Sequence, residues 1–455
     1  MSFTRRQILG GLLGLTAVGL GVGGVRYWLG RPLGSTTHDY ELIAAPLDLE
    51  LIPGHSTPAW AYGGQAPGLE IRAKQGEWLR VRFINKLDVP TTIHWHGIRL
   101  PLEMDGVPYV SQLPVLPGEY FDYQFKTPDA GSFWYHPHVA SSEQLGRGLV
   151  GPLIVEEREP SGFLHERTLS LKTWHIDEKG AFSAFSVPRE AAREGTRGRL
   201  TTINGKAVPS LELPAGQVVR LRILNLDSTI TYRLNLPGAE ARIYALDGQP
   251  IEPRDLGKEY WLGPGMRIDL AVRVPAAGAE LSLRNGPLRL ATLKSLATAE
   301  AVGDWPAPLP ANPVAEPDLQ QAEVLRFNFE WSATLAGAND KGPAKYWQIN
   351  GQAWDIKDKT CADRPIATLK KDGHYIFELR NMAQYLHPVH LHGLAFKVIS
   401  SNRKKIIPYF TDTYLLGKNE SVRIALVADN PGIWMFHCHV IDHMETGLMA
   451  AIEVV

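Results

Sequence analysis

The sequence predicts an all-β protein made of three consecutive β-sandwich domains. Numerous glycines (43) and prolines (33) separate short runs of β-branched and aromatic residues, a pattern typical of strands joined by turns. A chain of 455 residues is too long for one small core and suits two or three domains. One sequence pattern occurs three times along the chain, which favours three.

Each repeat contains a short strand, a turn, an alternating strand that ends at an asparagine, and a further strand. The repeats read LEIRAKQGEWLRVRFINKLDVPTTIHWHG from Leu69, LELPAGQVVRLRILNLDSTITYRLNLPG from Leu211 and IATLKKDGHYIFELRNMAQYLHPVHLHG from Ile366, with turns at Gly76, Gly216 and Gly373. Alternation such as Val81-Arg82-Phe83 or Leu221-Arg222-Ile223 has the period of a half-buried strand. We expect domains at residues 38–158, 165–300 and 322–455, with the Pro/Ala-rich stretch after Gly303 as an interdomain linker.

The first 37 residues predict export from the cytoplasm. Arg5-Arg6 precede an uncharged stretch, residues 7–25, which is rich in Gly and Leu and resembles a twin-arginine export signal. The stretch is near the lower length for spanning a bilayer and has no clear A-x-A cleavage site, so an uncleaved membrane anchor is the alternative. In both cases we expect the folded part to lie in the periplasm or at the exterior of the cell envelope, after passage through the twin-arginine export machinery.

Composition excludes some other classes of function. Lys and Arg number 47 against 48 Asp and Glu, so binding to nucleic acid through bulk charge is not expected. The chain has 2 cysteines, and a metal-bound Cys438 leaves Cys361 unpaired, so disulfides are not expected to hold the fold together. We expect a monomer.

Histidines indicate a metal site. Cys438 lies within one of four short histidine clusters, which are His94-x-His96, His136-x-His138, His387-x-x-His390-x-His392, and His437-Cys438-His439 with His443. In a strand, residues i and i+2 share a face, so each His-x-His pair offers two imidazoles in one direction and Cys438 points the other way. Its expected partners there are His387 and His443. A thiolate beside several imidazoles favours copper, zinc or iron, and His2Cys is the ligand set of a blue-copper site.

With these motifs the sequence resembles the three-domain multicopper oxidases, which include laccases, bilirubin oxidases and bacterial cuprous oxidases. The resemblance covers the whole mature chain, and all four histidine motifs occur in order. It implies cupredoxin-like Greek-key domains and four copper ions, which together reduce dioxygen to water with four electrons from a reducing substrate. The implied ligands are His387, Cys438 and His443 for type 1 copper with Leu448 at the axial position, His94 and His390 for type 2 copper, and His96, His136, His138, His392, His437 and His439 for the type 3 pair. The middle repeat carries Tyr232 and Leu234 where the outer repeats have histidines, so only the outer domains are expected to bind copper.

Two further positions bear on proton supply. Asp105, in EMDGVP, matches the acidic residue near type 2 copper that this family uses in proton delivery, although an aspartate before Gly106 is also a common turn residue. Met444 stands where the cuprous oxidases of the family carry a glutamate, which points to a different proton route on the type 3 side.

For function, we expect an oxygen-reducing copper oxidase. A metal-free scaffold of the cell envelope with the same fold is one alternative, but such a protein is expected to have lost some of the histidine motifs, and all four are intact here. A two-domain nitrite reductase-like enzyme is another, and the third repeat opposes it.

The substrate prediction depends on methionines. The chain has 7 Met and no Met-rich run, and Ala383 and Tyr385 occupy the positions of the Asp/Met pair that binds Cu(I) in cuprous oxidases. A laccase-like oxidase is therefore expected, with a phenol or aromatic amine that contacts the exposed edge of a type 1 histidine. The alternative is a cuprous or other metal-ion oxidase of copper resistance, with Met382, Met435 or Met444 in a different copper site.

Overall fold

The computed structural model describes residues 38–332 and 345–455, in which the strands form six sheets that lie in three pairs along the chain. This arrangement confirms the predicted all-β fold of three cupredoxin-like sandwiches. The predicted export signal lies outside the described residues. Within them, no helix has both the length and the apolar character needed to cross a membrane.

The first pair of sheets has the strand orders β2-β1-β4-β6 and β3-β8-β7-β5. Its strands are β1 (Tyr40–Ile52), β2 (His55–Tyr62), β3 (Ile71–Lys74), β4 (Trp78–Asn85), β5 (His94–His96), β6 (Tyr120–Lys126), β7 (Gly131–His136) and β8 (Gly151–Glu156). A 3-10 turn at Leu102–Met104 and helix α1 (Ser141–Arg147) lie between strands.

The second pair has the orders β10-β9-β12-β17-β14-β15 and β11-β19-β18-β13-β16. Its strands are β9 (His165–Trp174), β10 (Leu200–Ile203), β11 (Ser210–Pro214), β12 (Val218–Asn225), β13 (Tyr232–Asn235), β14 (Glu240–Leu246), β15 (Gln249–Asp255), β16 (Tyr260–Leu262), β17 (Arg267–Arg273), β18 (Glu280–Asn285) and β19 (Leu288–Leu296). Helix α2 (Pro188–Ala191) lies in the connection from β9 to β10.

The third pair has the orders β21-β20-β23-β28-β25-β26 and β22-β30-β29-β24-β27. Its strands are β20 (Glu323–Trp331), β21 (Trp347–Ile349), β22 (Ala367–Leu369), β23 (His374–Asn381), β24 (His387–Leu391), β25 (Phe396–Ser401), β26 (Tyr409–Thr411), β27 (Thr413–Leu416), β28 (Ser421–Val427), β29 (Gly432–Cys438) and β30 (Met449–Val454). A 3-10 turn at Cys361–Asp363 and helix α3 (Ile441–Glu445) complete this part.

The three units share one topology. In each, the first strand pairs in parallel with the alternating strand of the repeat, as β1 with β4, β9 with β12 and β20 with β23. In each, the short strand that opens the repeat also pairs in parallel with the last strand of its unit. The strands fall within the predicted domains, while the exact domain limits stay a prediction.

One predicted feature of the repeats is wrong for β12. β4 alternates between buried and partly exposed residues as expected, but every residue of β12 is buried. Arg220 and Arg222 on its polar face form ion pairs with Asp269 and with Glu157 near the first unit. The strand is therefore buried on both faces, and on its polar face ion pairs with carboxylates take the place of contacts with water.

Residues 297–319 lack regular secondary structure, as predicted for a linker. They are nevertheless attached to the neighbouring domains. The side chain of Asn312 accepts the backbone N–H of Ala130 at 2.8 Å and donates to the carbonyls of Ala130 and Gly248 at 2.9 and 3.0 Å. This segment thus joins the first and second units as well as leading to the third.

Candidate metal centre

Cys438, His387 and His443 meet in one buried group, which we call the thiolate site. Strand β29 supplies Cys438, β24 supplies His387 and α3 supplies His443. The two Nδ1 atoms are 3.2 Å apart, and each lies 3.5 Å from the Sγ of Cys438. Ligands bound to one ion at about 2.0 to 2.3 Å are separated by about 3.3 to 3.7 Å, so the three side chains fit a single metal ion.

Protonation at the thiolate site also suits a metal. Nε2–H of His443 donates to the carbonyl of Arg193 at 2.8 Å, which leaves its Nδ1 lone pair directed at Cys438. Burial lowers the pKa of His443 to about 3, so this imidazole is neutral near pH 7. Burial raises the pKa of the Cys438 thiol, and a bound metal ion offsets that effect by replacing the proton.

The expected exposed edge of a type 1 histidine is absent. His387 and His443 are both 0% exposed. The ring of Trp347 lies with its centroid 4.3 Å from that of His443 and 5.0 Å from that of His387, and the Arg193 carbonyl covers the remaining nitrogen of His443. An electron donor therefore reaches the thiolate site only through an intervening protein layer.

The other eight clustered histidines converge in a second group, the eight-histidine site, between the first and third units. All of them are buried, and strand pairing aligns them: His94 is opposite His136 in the first unit, and His390 is opposite His437 in the third. Rings from the two units stack, with centroids 3.9 Å apart for His94 and His392 and 3.8 Å apart for His96 and His390.

Several predicted His-x-His pairs lie at strand ends rather than inside strands. His94 and His96 are both in β5, whereas His138, His392 and His439 follow the last residues of β7, β24 and β29. The pairs still converge. The Nε2 atoms of His392 and His437 are 3.0 Å apart, and the rings of His138 and His437 are 5.4 Å apart.

Hydrogen bonds occupy one ring nitrogen of several histidines in the eight-histidine site and leave the other nitrogen available for a metal ion. Nδ1 contacts a protein oxygen in His94, His136, His390, His392 and His437. Six histidines have a buried ring nitrogen without a partner among the described residues, and they are His94, His96, His136, His138, His390 and His439. Buried polar atoms are normally satisfied, so this many unpaired nitrogens fit copper ligation. Burial, followed by repulsion from neighbouring histidines, also lowers the pKa of His96, His138 and His392 and keeps these rings neutral.

Asp105 links two ligand-bearing rings. Its carboxylate oxygens lie 3.1 Å from Nδ1 of His94 and 2.9 Å from Nδ1 of His392, and the residue is buried. The structure therefore places Asp105 directly behind two predicted copper ligands, as a proton-delivery role requires. That role itself stays a prediction, as does the division of the histidines between type 2 and type 3 copper.

Sequence reasoning missed a second carboxylate and the part played by the middle domain. The carbonyl of Asp412 accepts Nδ1–H of His390 at 2.9 Å, and its carboxylate is 3.3 Å from Nε2 of His96. Arg267, in β17 of the middle domain, donates to that carboxylate with two nitrogens, at 2.8 and 2.5 Å. A buried aspartate in the segment TDTYLL and a buried arginine in a strand were the available signals, but neither indicates its partner.

Leu448 and Met449 lie in different apolar clusters. Leu448 is in the core cluster that includes Cys438, while Met449 packs with Met435 and Met444. This packing agrees with Leu448 at the predicted axial position.

Comparisons with known proteins agree with this geometry. Family models described as multicopper oxidase match residues 47–160 and 334–455. The crystal structure of a multicopper oxidase from Pseudomonas thermotolerans is 78% identical, covers 92% of this chain and 99% of its own, and superposes with a TM-score of 0.88. One from Pseudomonas parafulva is 72% identical over 92% of this chain and 100% of its own, with a TM-score of 0.87. The multicopper oxidase MmcO of Mycobacterium tuberculosis is 29% identical over 93% of this chain and 88% of its own. The chain belongs to the multicopper oxidase family, whose members hold type 1, type 2 and type 3 copper and reduce dioxygen with electrons from a reducing substrate.

Proposed function

We propose that this protein is a laccase-like oxidase, which couples four one-electron oxidations of phenols or aromatic amines to the reduction of dioxygen to water. His387, Cys438 and His443 hold type 1 copper, His94 and His390 hold type 2 copper, and the other six clustered histidines hold the type 3 pair. Copper supplies the redox chemistry when bound, and the protein fixes its geometry and potential. The observation that carries the proposal is the covalent connection between the two sites, because Cys438 of the thiolate site lies between His437 and His439 of the eight-histidine site.

The surroundings of the thiolate site favour an organic electron donor. Trp347 packs over it, and half-buried Tyr385 lies against Trp347 with ring centroids 5.9 Å apart. Ala383 offers no ligand atom. Met435, Met444 and Met449 are buried together in an apolar cluster, while Met382 is 62% exposed and is not part of that cluster. Cu(I) prefers several soft ligands at one accessible place, and the described residues do not provide such a set. A donor that transfers an electron without binding the metal suits this surface.

Proton supply and location complete the proposal. Asp105 passes protons to the eight-histidine site, because it is the carboxylate in contact with His94 and His392. The twin-arginine-like segment at residues 1–37 directs the protein to the periplasm or the exterior of the cell envelope, where small reductants are accessible.

Copper content and substrate preference test this function. Copper-loaded protein is expected to contain about four copper ions per chain and to show the blue absorption of a thiolate-copper site. Oxygen consumption is then compared for 2,6-dimethoxyphenol and a stabilised Cu(I) complex. A higher kcat/KM for the phenol supports the laccase-like function. A far higher kcat/KM for Cu(I) rejects it in favour of metal-ion oxidation.

A further inference from the structure

A turn from the middle domain covers the thiolate site, and we call residues 188–196 the covering turn. It begins with α2 and continues to Thr196. Two of its backbone carbonyls make the covering contacts. That of Arg193 accepts Nε2–H of His443, and that of Ala191 accepts the indole N–H of Trp347, each at 2.8 Å. The covering turn therefore contacts both a predicted copper ligand and the aromatic ring that shields the ligands.

The covering turn is fixed against the third unit. The N–H of Thr196 donates to the buried carboxylate of Asp442 in the third unit. The carbonyl of Thr196 accepts Nε2–H of His175 at 3.0 Å. A Cβ atom on Gly195 would lie 2.8 Å from Val440, so the backbone approaches α3 too closely for a side chain there. These contacts hold the Arg193 peptide in place between His443 and the protein surface.

The outer face of the covering turn carries positive charge without a partner. Arg189 lies in α2, Arg193 lies in the turn that follows it, and both side chains are exposed. Neither forms an ion pair with any residue that the structure describes. Glu194 is paired with Arg197 at 2.7 Å, and the Glu190 carboxylate accepts the Arg197 backbone N–H at 3.4 Å. The covering turn thus has two guanidinium groups without an ion-pair partner and one such carboxylate, that of Glu190, so its outer face has a net positive charge.

We propose that the electron donor docks on the outer face of the covering turn, and that Arg189 and Arg193 select aromatic reductants that carry a carboxylate or sulfonate. This inference rests on the proposed function and names its substrate class. Guanidinium groups bind such anions through paired N–H donors and also stack on aromatic rings. The electron passes from the donor through the Arg193 peptide and its hydrogen bond to His443. Each donor would give one electron to the copper that His387, Cys438 and His443 would hold and release one phenolic proton to water. Four donors would supply the four electrons, and water the four protons, that convert one dioxygen to two waters.

The test compares two phenols that share a ring and differ in charge. Syringate is 2,6-dimethoxyphenol with a carboxylate opposite the hydroxyl, and the experiment is run at a pH where that carboxylate is ionised. R193E and R189E are each compared with wild type, and R199E is the matched control. Arg199 is exposed in the same domain and pairs with Glu178, outside the covering turn. Steady-state kcat/KM is measured for both phenols at low and high salt, together with the visible spectrum and the type 1 potential.

We expect R193E and R189E to lower kcat/KM for syringate by about tenfold, mainly through KM, and to lower kcat/KM for 2,6-dimethoxyphenol by only about two- to threefold, because the neutral phenol loses ring stacking but no ion pair. Salt should weaken the wild-type preference for syringate, because it screens exposed charges. The spectrum and potential should stay as in wild type, and R199E should resemble wild type with both phenols.

Two results would overturn the inference while leaving the proposed function intact. Equal losses with both phenols indicate a structural role for the arginines, and unchanged kcat/KM for syringate places the docking surface elsewhere. A wild-type enzyme that oxidises Cu(I) but neither phenol instead rejects the proposed function, and the inference fails with it.

Discussion

Cys438 differs from its two neighbours in the direction of its side chain. Val389 is its cross-strand partner, while His390 is opposite His437, so cysteine and histidine project from opposite faces of β29. We expect Cys438→Ser to abolish the blue absorption and the oxidase activity with every reductant, because a hydroxyl cannot replace the thiolate that binds the metal. Much of the copper of the eight-histidine site should remain. Visible spectroscopy, copper analysis and oxygen consumption check this, and a variant that stays blue would show that the thiolate site is assigned wrongly.

Leu448 is fully buried beside Cys438, and its carbonyl accepts the Cys438 N–H at 3.0 Å. A leucine at the axial position gives copper no weak sulfur donor, which leaves the oxidised ion less stabilised. We therefore expect Leu448→Met to lower the type 1 potential, measured by redox titration of both proteins. Met449→Leu is the matched control and should leave the potential near that of wild type, because Met449 packs in the other cluster. An unchanged or raised potential in Leu448→Met contradicts the axial assignment.

At the scale of elements, the turn before β17 brings the middle domain against the eight-histidine site. Gly265 has φ +81°, and a Cβ atom there would lie 2.8 Å from the ring of His439 and 3.1 Å from that of His96. We expect Gly265→Ala to displace these rings and to reduce oxygen turnover and copper content, while the blue absorption remains. Gly238 is a control in the same domain, with φ +77° and nothing within 4 Å of its Cβ position.

Gly238→Ala should lose about 1–2 kcal/mol of stability, because an L-residue is strained at positive φ, and Gly265→Ala should lose at least as much, because its Cβ atom also meets buried rings. Only Gly265→Ala should also lose oxygen turnover per chain. Thermal unfolding and oxygen consumption, measured on the same preparations, separate the two effects. Equal turnover in the two variants would mean that the middle domain does not constrain the eight-histidine site.

The sequence predicted the elements that carry local signals and missed those that depend on distant contacts. His94 and His96 are two residues apart in one strand, so their shared face follows from strand period alone. The contact from His443 to the Arg193 carbonyl spans 250 positions of the chain and involves a backbone atom, which has no residue-type signature. The shielding by Trp347 also depends on a contact between distant positions of the chain, so it was missed and an exposed histidine edge was wrongly expected. The buried polar face of β12 depends on packing between domains, which alternation alone does not reveal.

At the scale of the whole molecule, the middle domain has no predicted copper ligand but connects the other two. Arg267 donates to the carbonyl of Ser132 in the first unit at 3.0 Å and to both carboxylate oxygens of Asp412 in the third. Its own N–H donates to Asp247 at 2.6 Å. Burial opposes ionisation of Asp412, but Arg267 and its hydrogen bonds hold the pKa of Asp412 well below the usual value. One guanidinium therefore neutralises buried charge where all three units meet.

We expect Arg267→Met to destabilise the protein by about 3–5 kcal/mol, because removing one partner leaves buried carboxylates without a cation. Urea unfolding of the copper-free proteins measures the loss as a lower midpoint. Arg273→Met is the control on the same strand. Arg273 pairs with Glu240 near the surface and donates to the carbonyl of Gly303 at 2.8 Å, so this change should cost about 1–2 kcal/mol, clearly less than Arg267→Met. Adding Asp412→Asn to Arg267→Met removes the carboxylate that has lost its paired guanidinium and should recover part of the midpoint. If Arg267→Met unfolds at the wild-type midpoint, or if adding Asp412→Asn lowers the midpoint further, charge neutralisation by Arg267 is not what holds the three units together.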